Sequence, residues 1–402
     1  MSIVNVLAIN VLKSVGSIAL AIGILLAMVT VHEFGHYIVG KLLNFKITEF
    51  SVGFGPAILK KRSKKSGELF ALRVVPLGGY CAFDGEDEYE ETDQTEEQNE
   101  QEEQNEQKEQ KEQKEQDEYP EPKGERFNDQ PPWKRILVLI AGATMNYLLA
   151  LLLLVIMFAG IGRPVYSVVV EKSEQSTATV AVQTERTNVS DGLQTGDVIL
   201  KLNGKNVYLI TDYLDAISGE KAGAEIPVLV SSGGELITRT LVLAVDANFA
   251  NMSDTQTLLK AMNIYGLFTV TEQQGFFPSI GHSFVYSFKI GGTVLRSLGE
   301  LITGKLGISA MGGPVTTISI TAQAATSGLM SFLNIAAFIG VNLAVFNLLP
   351  VPALDGCKVI FCLIEWIRKK PVNRKIETII NLVGIIFLFG FAILVDLLQL
   401  FI

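Results

Sequence analysis

The chain has 402 residues, 48% of them hydrophobic, with a mean hydropathy of +0.33 and a formal net charge of −9. So apolar a composition excludes an ordinary soluble protein, and no nucleic-acid partner is expected of it. The charge describes one segment rather than the whole, because Asp84–Glu118 holds 18 acidic and 3 basic residues and leaves +6 on the remainder.

The apolar residues cluster in four runs, Val15–Leu43, Ile136–Ile161, Leu329–Leu349 and Ile376–Leu400. Each holds the ~20 residues that a helix rising ~1.5 Å per residue needs to cross ~30 Å of hydrocarbon. The first run is too long for the apolar region of a cleavable signal peptide and is expected to stay. The predicted fold class is therefore an α-helical integral membrane protein with four transmembrane helices. Lys and Arg crowd two connections, with Lys60, Lys61, Arg62, Lys64 and Lys65 between spans one and two, and Arg368, Lys369 and Lys370 between spans three and four. The positive-inside rule makes both connections cytoplasmic and places the long segment 162–328 outside.

In chain order, the first span occupies residues 1–44. Short apolar runs broken by Gly, Pro and a Lys-rich turn follow over 45–83 and predict a membrane-associated β-hairpin region. Segment 84–125, rich in Glu, Gln and Lys, has almost nothing aliphatic to bury and is expected to be a disordered or partly helical cytoplasmic insert. In 126–163, Pro131-Pro-Trp-Lys-Arg135 has the composition of an interfacial anchor ahead of span two. Residues 164–279 change to short strands with turn signals, among them Asn203-Gly204 between two apolar runs. They predict one extracytoplasmic β-rich domain. Residues 280–327 mix apolar and charged side chains as a helix on a membrane surface would. The last two spans fill 328–402. Cys81, Cys357 and Cys362 form no CxxC pair and are read as reduced, buried residues on the cytoplasmic side.

The strongest chemical signal is His32-Glu-Phe-Gly-His36. Positions i and i+4 share a helix face, so both imidazoles can reach one metal ion with Glu33 beside them. Zinc accepts imidazole nitrogen, and a catalytic zinc needs one more protein ligand and an open position for water. Glu33 can take a proton from that water and return it to a leaving amine. Burying a glutamate and two histidines inside hydrocarbon is costly unless they are partnered. The missing ligand is expected from Asp355 in Asn347-Leu-Leu-Pro-Val-Pro-Ala-Leu-Asp-Gly356, where Pro350 and Pro352 should break span three. Asn347 is placed to hydrogen-bond a substrate carbonyl or a developing oxyanion. His282 reads as an ordinary surface residue.

HEFGH and NLLPVPALDG together resemble the site-2 protease family of intramembrane zinc metalloproteases, in particular the bacterial branch typified by the regulator of sigma E protease. SVGFGP, PLGGY and PPWKRILVLIAGATMN are similar to that branch's hairpin region and second span. The run GL-x-x-GD-x-I-x-x-x-NG ending at Gly204 resembles its PDZ domain. The resemblance implies His32, His36 and Asp355 as ligands of Zn2+, Glu33 as the catalytic glutamate, and Asn347 and Asn146 as substrate-handling residues. It implies a multi-pass protein of the bacterial plasma membrane with its active site toward the cytoplasm and a PDZ-like domain outside. Its partners would be the lipid bilayer, single-span membrane protein substrates such as anti-sigma factors or remnant signal peptides, and a peptide ligand of the PDZ-like domain. Two positions depart from the pattern: Ala143 replaces a proline and Cys357 a glycine. A substrate must unwind to be cut, and strands near Phe50–Gly55 and Leu69–Val75 are expected to pair with it. The rival readings are a catalytically silent PDZ-containing membrane scaffold and an ion-coupled transporter.

Overall fold

The computed structural model describes residues 3–86, 119–170, 180–181, 192–244, 255–307 and 311–399. Most of the acidic insert, and Ser190 and Asp191 ahead of the GL-x-x-GD run, lie outside the described residues. Contacts divide the chain into two units, Met1–Leu153 with Val294–Ile402, and Leu154–Thr293.

In the first unit, helix α1 (Ile3–Leu42) is continuous and mostly aliphatic. It stops because Asn44 adopts a left-handed φ of 65°. The Phe45 amide then reaches back to the Gly40 carbonyl and the Asn44 amide to Lys41. This is the 6→1 and 5→2 pairing that closes a helix end, with Asn doing what Gly usually does. The chain leaves in a fixed direction, and Phe45 and Ile47 enter a buried cluster with Phe83, Phe127, Val138, Leu139 and Cys362.

Strands β1 (Ile47–Arg62) and β2 (Leu69–Phe83) form one long antiparallel hairpin. It is folded across itself. Ser51 is in register with Tyr80 on one side and with Ala71 on the other, and Lys60 also registers with Ala71. Gly53 and Gly55, at φ of 87° and 83°, permit the bend, and Gly78 at 101° the matching one. Of the stretches expected to pair with a substrate, Phe50–Gly55 and Leu69–Val75, the parts Phe50–Val52 and Leu69–Leu72 are flanked on both sides and offer no free edge, whereas Phe54 pairs with Val75 alone and Arg73 with Ala57 alone.

Three more helices complete the expected spans: α2 (Pro132–Gly160), and, further along the chain, α7 (Leu329–Asn347) and α9 (Arg374–Gln399). With Ser14–Leu42 of α1 they are four helices long and apolar enough to cross a membrane, within a few residues of the bounds read from hydropathy. Pro132 opens α2, where a missing amide proton costs nothing. Ala143, in place of the usual proline, keeps its amide and α2 runs unbroken. Segment 280–327 contains two helices, α5 (Phe276–Ile302) and α6 (Pro314–Ser327). The second packs on α1 and α7. Between α7 and helix α8 (Asp355–Arg368), the two prolines produce the expected break.

The second unit is built on a sheet of order β4-β9-β3-β5-β7-β8, with β6 on β5. Its strands are β3 (Arg163–Val169), β4 (Val180–Ala181), β5 (Val198–Leu202), β6 (Lys205–Asn206), β7 (Glu225–Ser232), β8 (Glu235–Val242) and β9 (Gly266–Glu272). Asn203 and Gly204 both have positive φ, 50° and 76°, the turn expected between β5 and β6. Helices α3 (Ile210–Ile217) and α4 (Thr255–Ala261) cover a core of Ile199, Leu202, Tyr213, Val228, Val230, Leu241, Leu258 and Leu267. Each such aliphatic side chain is worth ~1.5–3 kcal/mol when buried. Asp197 of the GL-x-x-GD run is 1% exposed and stands 2.8 Å from Arg239 Nε on β8. The returning strand β9 pairs with β3 along its whole length, which no local signal announced.

Candidate metal centre

His32, Glu33 and His36 lie on α1 ten or fewer residues from its end, and the i, i+4 spacing puts the two imidazoles on one face. Asp355 is the first residue of α8. Its Oδ2 lies 3.1 Å from His32 Nε2 and 3.4 Å from His36 Nε2, and the two nitrogens are 3.2 Å apart. Three near-equal separations define one face of a tetrahedron. Vertices ~2.0–2.1 Å from a centre, the distance at which zinc binds imidazole nitrogen and carboxylate oxygen, are separated by edges of ~3.3 Å.

Proton accounting points the same way. His36 Nδ1 donates to the Val138 carbonyl at 2.8 Å, so its Nε2 presents a lone pair. His32 Nδ1 faces the amide groups of Asn146 at 3.5 Å and Asn347 at 3.4 Å. Asn146 is 1% exposed and its Oδ1 has no partner among the described residues. A half-turn of that amide brings the oxygen to His32 Nδ1, which then donates and frees the second Nε2. Asp355 Oδ2 is likewise buried without a hydrogen-bond donor. Three lone-pair atoms therefore converge with no proton between them, an arrangement that a divalent cation stabilises.

Two glycines set how closely the helices approach. A Cβ on Gly142 would sit 2.4 Å from His36 Nε2 and 2.7 Å from His32 Cε1. A Cβ on Gly35 would sit 2.5 Å from the Ala141 carbonyl oxygen. Val138, Gly142 and Asn146 follow one another at four-residue steps, so one stripe of α2 lines both histidines. Sequence reading singled out Asn146 alone. Gly142 and the Val138 carbonyl were missed, although Gly142, four residues before Asn146, carried a spacing signal. Glu33 is turned toward β2, where the Cys81 amide faces its carboxylate. Its Cγ lies 3.2 Å from where a Cβ on Gly79 would be.

The loop before Asp355 explains its motif. Gly356 cannot carry a side chain, since its Cβ would meet the Leu349 carbonyl oxygen at 2.3 Å and the Leu348 oxygen at 2.5 Å. Cys357 has room and is 7% exposed, so α8 still starts at Asp355 despite the lost glycine. His32, His36 and Asp355 form the one candidate metal cluster among the described residues, their ligand atoms all within 4.8 Å.

The chain is similar to known proteins over most of its length. A family model described as peptidase family M50 matches residues 20–391. A putative zinc metalloprotease of Clostridium perfringens is 28% identical, over 92% of this chain and 94% of its own length. The regulator of sigma-W protease RasP of Bacillus subtilis is 26% identical, over 90% of this chain and 92% of its own. The zinc metalloprotease RasP of Bacillus licheniformis is 25% identical over 90% and 93%. With the family pattern extending over nearly all of its length, from the first apolar helix into the last, this chain belongs to peptidase family M50.

Proposed function

We propose that the protein is a zinc-dependent intramembrane endopeptidase in which His32, His36 and Asp355 hold the metal and Glu33 is the general base and acid. The convergence of the three ligand atoms within 4.8 Å, on helices apolar enough to lie in a bilayer, carries this reading. Zinc bound there supplies a Lewis acid for the scissile carbonyl and acidifies a water molecule. Glu33 takes the proton of that water and passes it to the departing amide nitrogen, work worth ~10²–10⁴ in rate. Asn146 and Asn347 grip His32 from behind. With Asn146 1% exposed, its task is to orient the imidazole rather than to touch substrate.

The β-rich unit serves as a PDZ-like domain outside the membrane, a reading supported by the GL-x-x-GD-x-I-x-x-x-NG run and by β9 closing onto β3. The cytoplasmic placement of the site follows from the Lys and Arg excess around the hairpin and after α8. Substrates are single-span membrane proteins, of which anti-sigma factors and remnant signal peptides are the candidates that family resemblance offers.

The test is cleavage of a model single-span substrate by purified protein in detergent with zinc. Glu33→Gln should abolish turnover while about one zinc per chain is retained, and Asp355→Ala should lose the zinc. Undiminished cleavage by Glu33→Gln would sink the mechanism.

A further inference from the structure

The ligand Asp355 is delivered by a strained turn. Ala353 has φ of 76°, in the left-handed region that a non-glycine residue occupies only when its surroundings hold it there. Pro350 and Pro352, both just before it, each have a fixed φ and no amide donor, so the turn has few hydrogen bonds of its own. Val351 N–H reaches Leu349 and Leu354 N–H reaches Val351, while the Ala353 amide has no backbone acceptor among the described residues. Its acceptor is a side chain on the last apolar helix: Ala353 N–H donates to Asn381 Oδ1 of α9 at 3.4 Å. One turn further along α9, Gly384 is buried beneath the same loop. A Cβ there would fall 2.4 Å from Pro352 Cβ, 2.6 Å from its carbonyl carbon and 2.7 Å from its oxygen. Two of those three atoms are backbone, so no rotamer change relieves the clash.

We infer that Asn381 and Gly384 are positioning residues for the metal centre. They form a seat on α9 that holds the Pro352–Ala353 turn in its left-handed conformation and so sets where Asp355 projects. The inference rests on the reading of Asp355 as a zinc ligand. Its logic is local. Asp355 is two residues beyond Ala353 and starts α8, so a change of backbone at 353 rotates the first turn of α8 against α1. The His32–Asp355 and His36–Asp355 separations of 3.1 and 3.4 Å tolerate little such rotation. Neither α9 residue touches a ligand atom, and no motif in the chain marks either one. Asn381 and Gly384 share a face by their three-residue spacing.

Zinc affinity and the visible spectrum of the cobalt-substituted full-length protein are the readouts, neither of which needs turnover. Asn381→Ala and Gly384→Ala should each weaken zinc binding about 10–100-fold, the scale on which supporting partners of metal ligands act. Both should alter the cobalt ligand-field bands, whose intensity reports coordination geometry. Asn381→Asp retains an acceptor oxygen and should restore both readouts toward wild type. Gly390→Ala is the control on the same helix, because no atom of the described residues beyond its own helical surroundings lies within 4 Å of its added Cβ, and it should change neither. If Gly384→Ala does not fold, the Asn381 pair decides alone. Wild-type affinity and an unchanged spectrum in Asn381→Ala overturn the inference. Zinc binding that survives Asp355→Ala overturns instead the ligand reading beneath it.

Discussion

The imidazole of His36, on the first apolar helix, donates from Nδ1 to the carbonyl oxygen of Val138 on the second, 2.8 Å away and 102 residues along the chain. That bond sets the tautomer of the ring and also fixes the rotation of α2 against α1. One helical turn beyond Val138, the same face offers Gly142 to both histidines.

Gly142→Ala should therefore damage the metal centre without unfolding the helix that carries it. Alanine is the better helix former, so the helix itself gains ~1 kcal/mol. The added carbon would sit 2.4 Å from His36 Nε2 and 2.7 Å from His32 Cε1, and one of the rings must turn away. Zinc affinity should fall by about 10–100-fold with loss of cleavage. Gly160→Ala, with no atom of the described residues beyond its own helical surroundings within 4 Å of its Cβ, should leave affinity unchanged. Metal content after dialysis against a graded chelator measures both, and a Gly142→Ala protein that keeps its zinc contradicts the packing described.

Arg135 opens a different test. It lies in the first turns of α2, 1% exposed, and its guanidinium donates to Glu365 of α8. Glu365 also lies 3.6 Å from Arg374 at the start of α9. Truncation of Glu365 to Ala leaves a buried cation without its counter-charge, a loss of ~3–5 kcal/mol for such pairs. Replacing both partners, as Arg135→Met with Glu365→Met, should recover most of that stability, because no charge is then left stranded. Thermal unfolding in micelles distinguishes these outcomes. A Glu365→Ala protein within ~0.5 kcal/mol of wild type would mean the pair is hydrated and inert.

What the sequence disclosed and what it concealed divide along a physical line. That His32, His36 and Asp355 come together was legible because a metal-binding reading demands those residue types. The Asn203-Gly204 turn was legible because only a few residues accept positive φ in sequence. Hydropathy located the four spans because a bilayer requires a run of fixed length. The Val138 carbonyl was hidden, since a backbone acceptor has no residue type. Gly384 and Asn381 were hidden because their importance lies in what another helix places opposite them, and Gly142 offered only its spacing from Asn146. The folded hairpin was hidden for the same reason: strand registers such as Ser51 with both Tyr80 and Ala71 are decided by tertiary contact, which local alternation does not encode.

In the β-rich unit, His282 should make stability sensitive to mild acid. Burial lowers its pKa first, the neighbouring Arg163 guanidinium lowers it further, and Glu272 opposes both. Its ring is packed edge-on to Tyr208, with Nδ1 against Gln274 Oε1. Because the folded pKa lies below the unfolded value of ~6.5, only the unfolded chain takes up the proton as pH falls through that value. Stability should thus decline as pH drops below about 6.5 and stop declining beneath the folded pKa. Replacing His282 with Gln should flatten that slope. Hydrogen exchange of β9 and α5 amides in the full-length protein, corrected for intrinsic rates, reads it directly; equal slopes in both proteins would assign the acid response to other groups.

Asp396 caps a helix that begins more than eighty residues earlier. Its carboxylate accepts from the amides of Val315 and Thr316, at 3.0 and 3.3 Å, and from the Thr316 hydroxyl at 3.1 Å. Gly313, the residue before α6, has no side chain of its own to cap with, and an added Cβ would fall 2.4 Å from Asp396 Cγ. The long-range carboxylate replaces the local cap that Ser, Thr, Asp or Asn would supply and also meets the positive end of the helix dipole. Asp396→Ala should cost about 1–2 kcal/mol of stability, and Asp396→Asn less, since an amide oxygen still accepts. Gly313→Ala should cost at least as much by forcing the carboxylate off the helix end. Because the candidate ligands on α1 are held by Val138 and Asn146 of α2 and by Asn347 of α7, zinc affinity should hardly change in any of the three. Unfolding midpoints and zinc titration of the same preparations separate the two effects, and a loss of zinc in Asp396→Asn would show that α6 supports the metal centre through α1 after all.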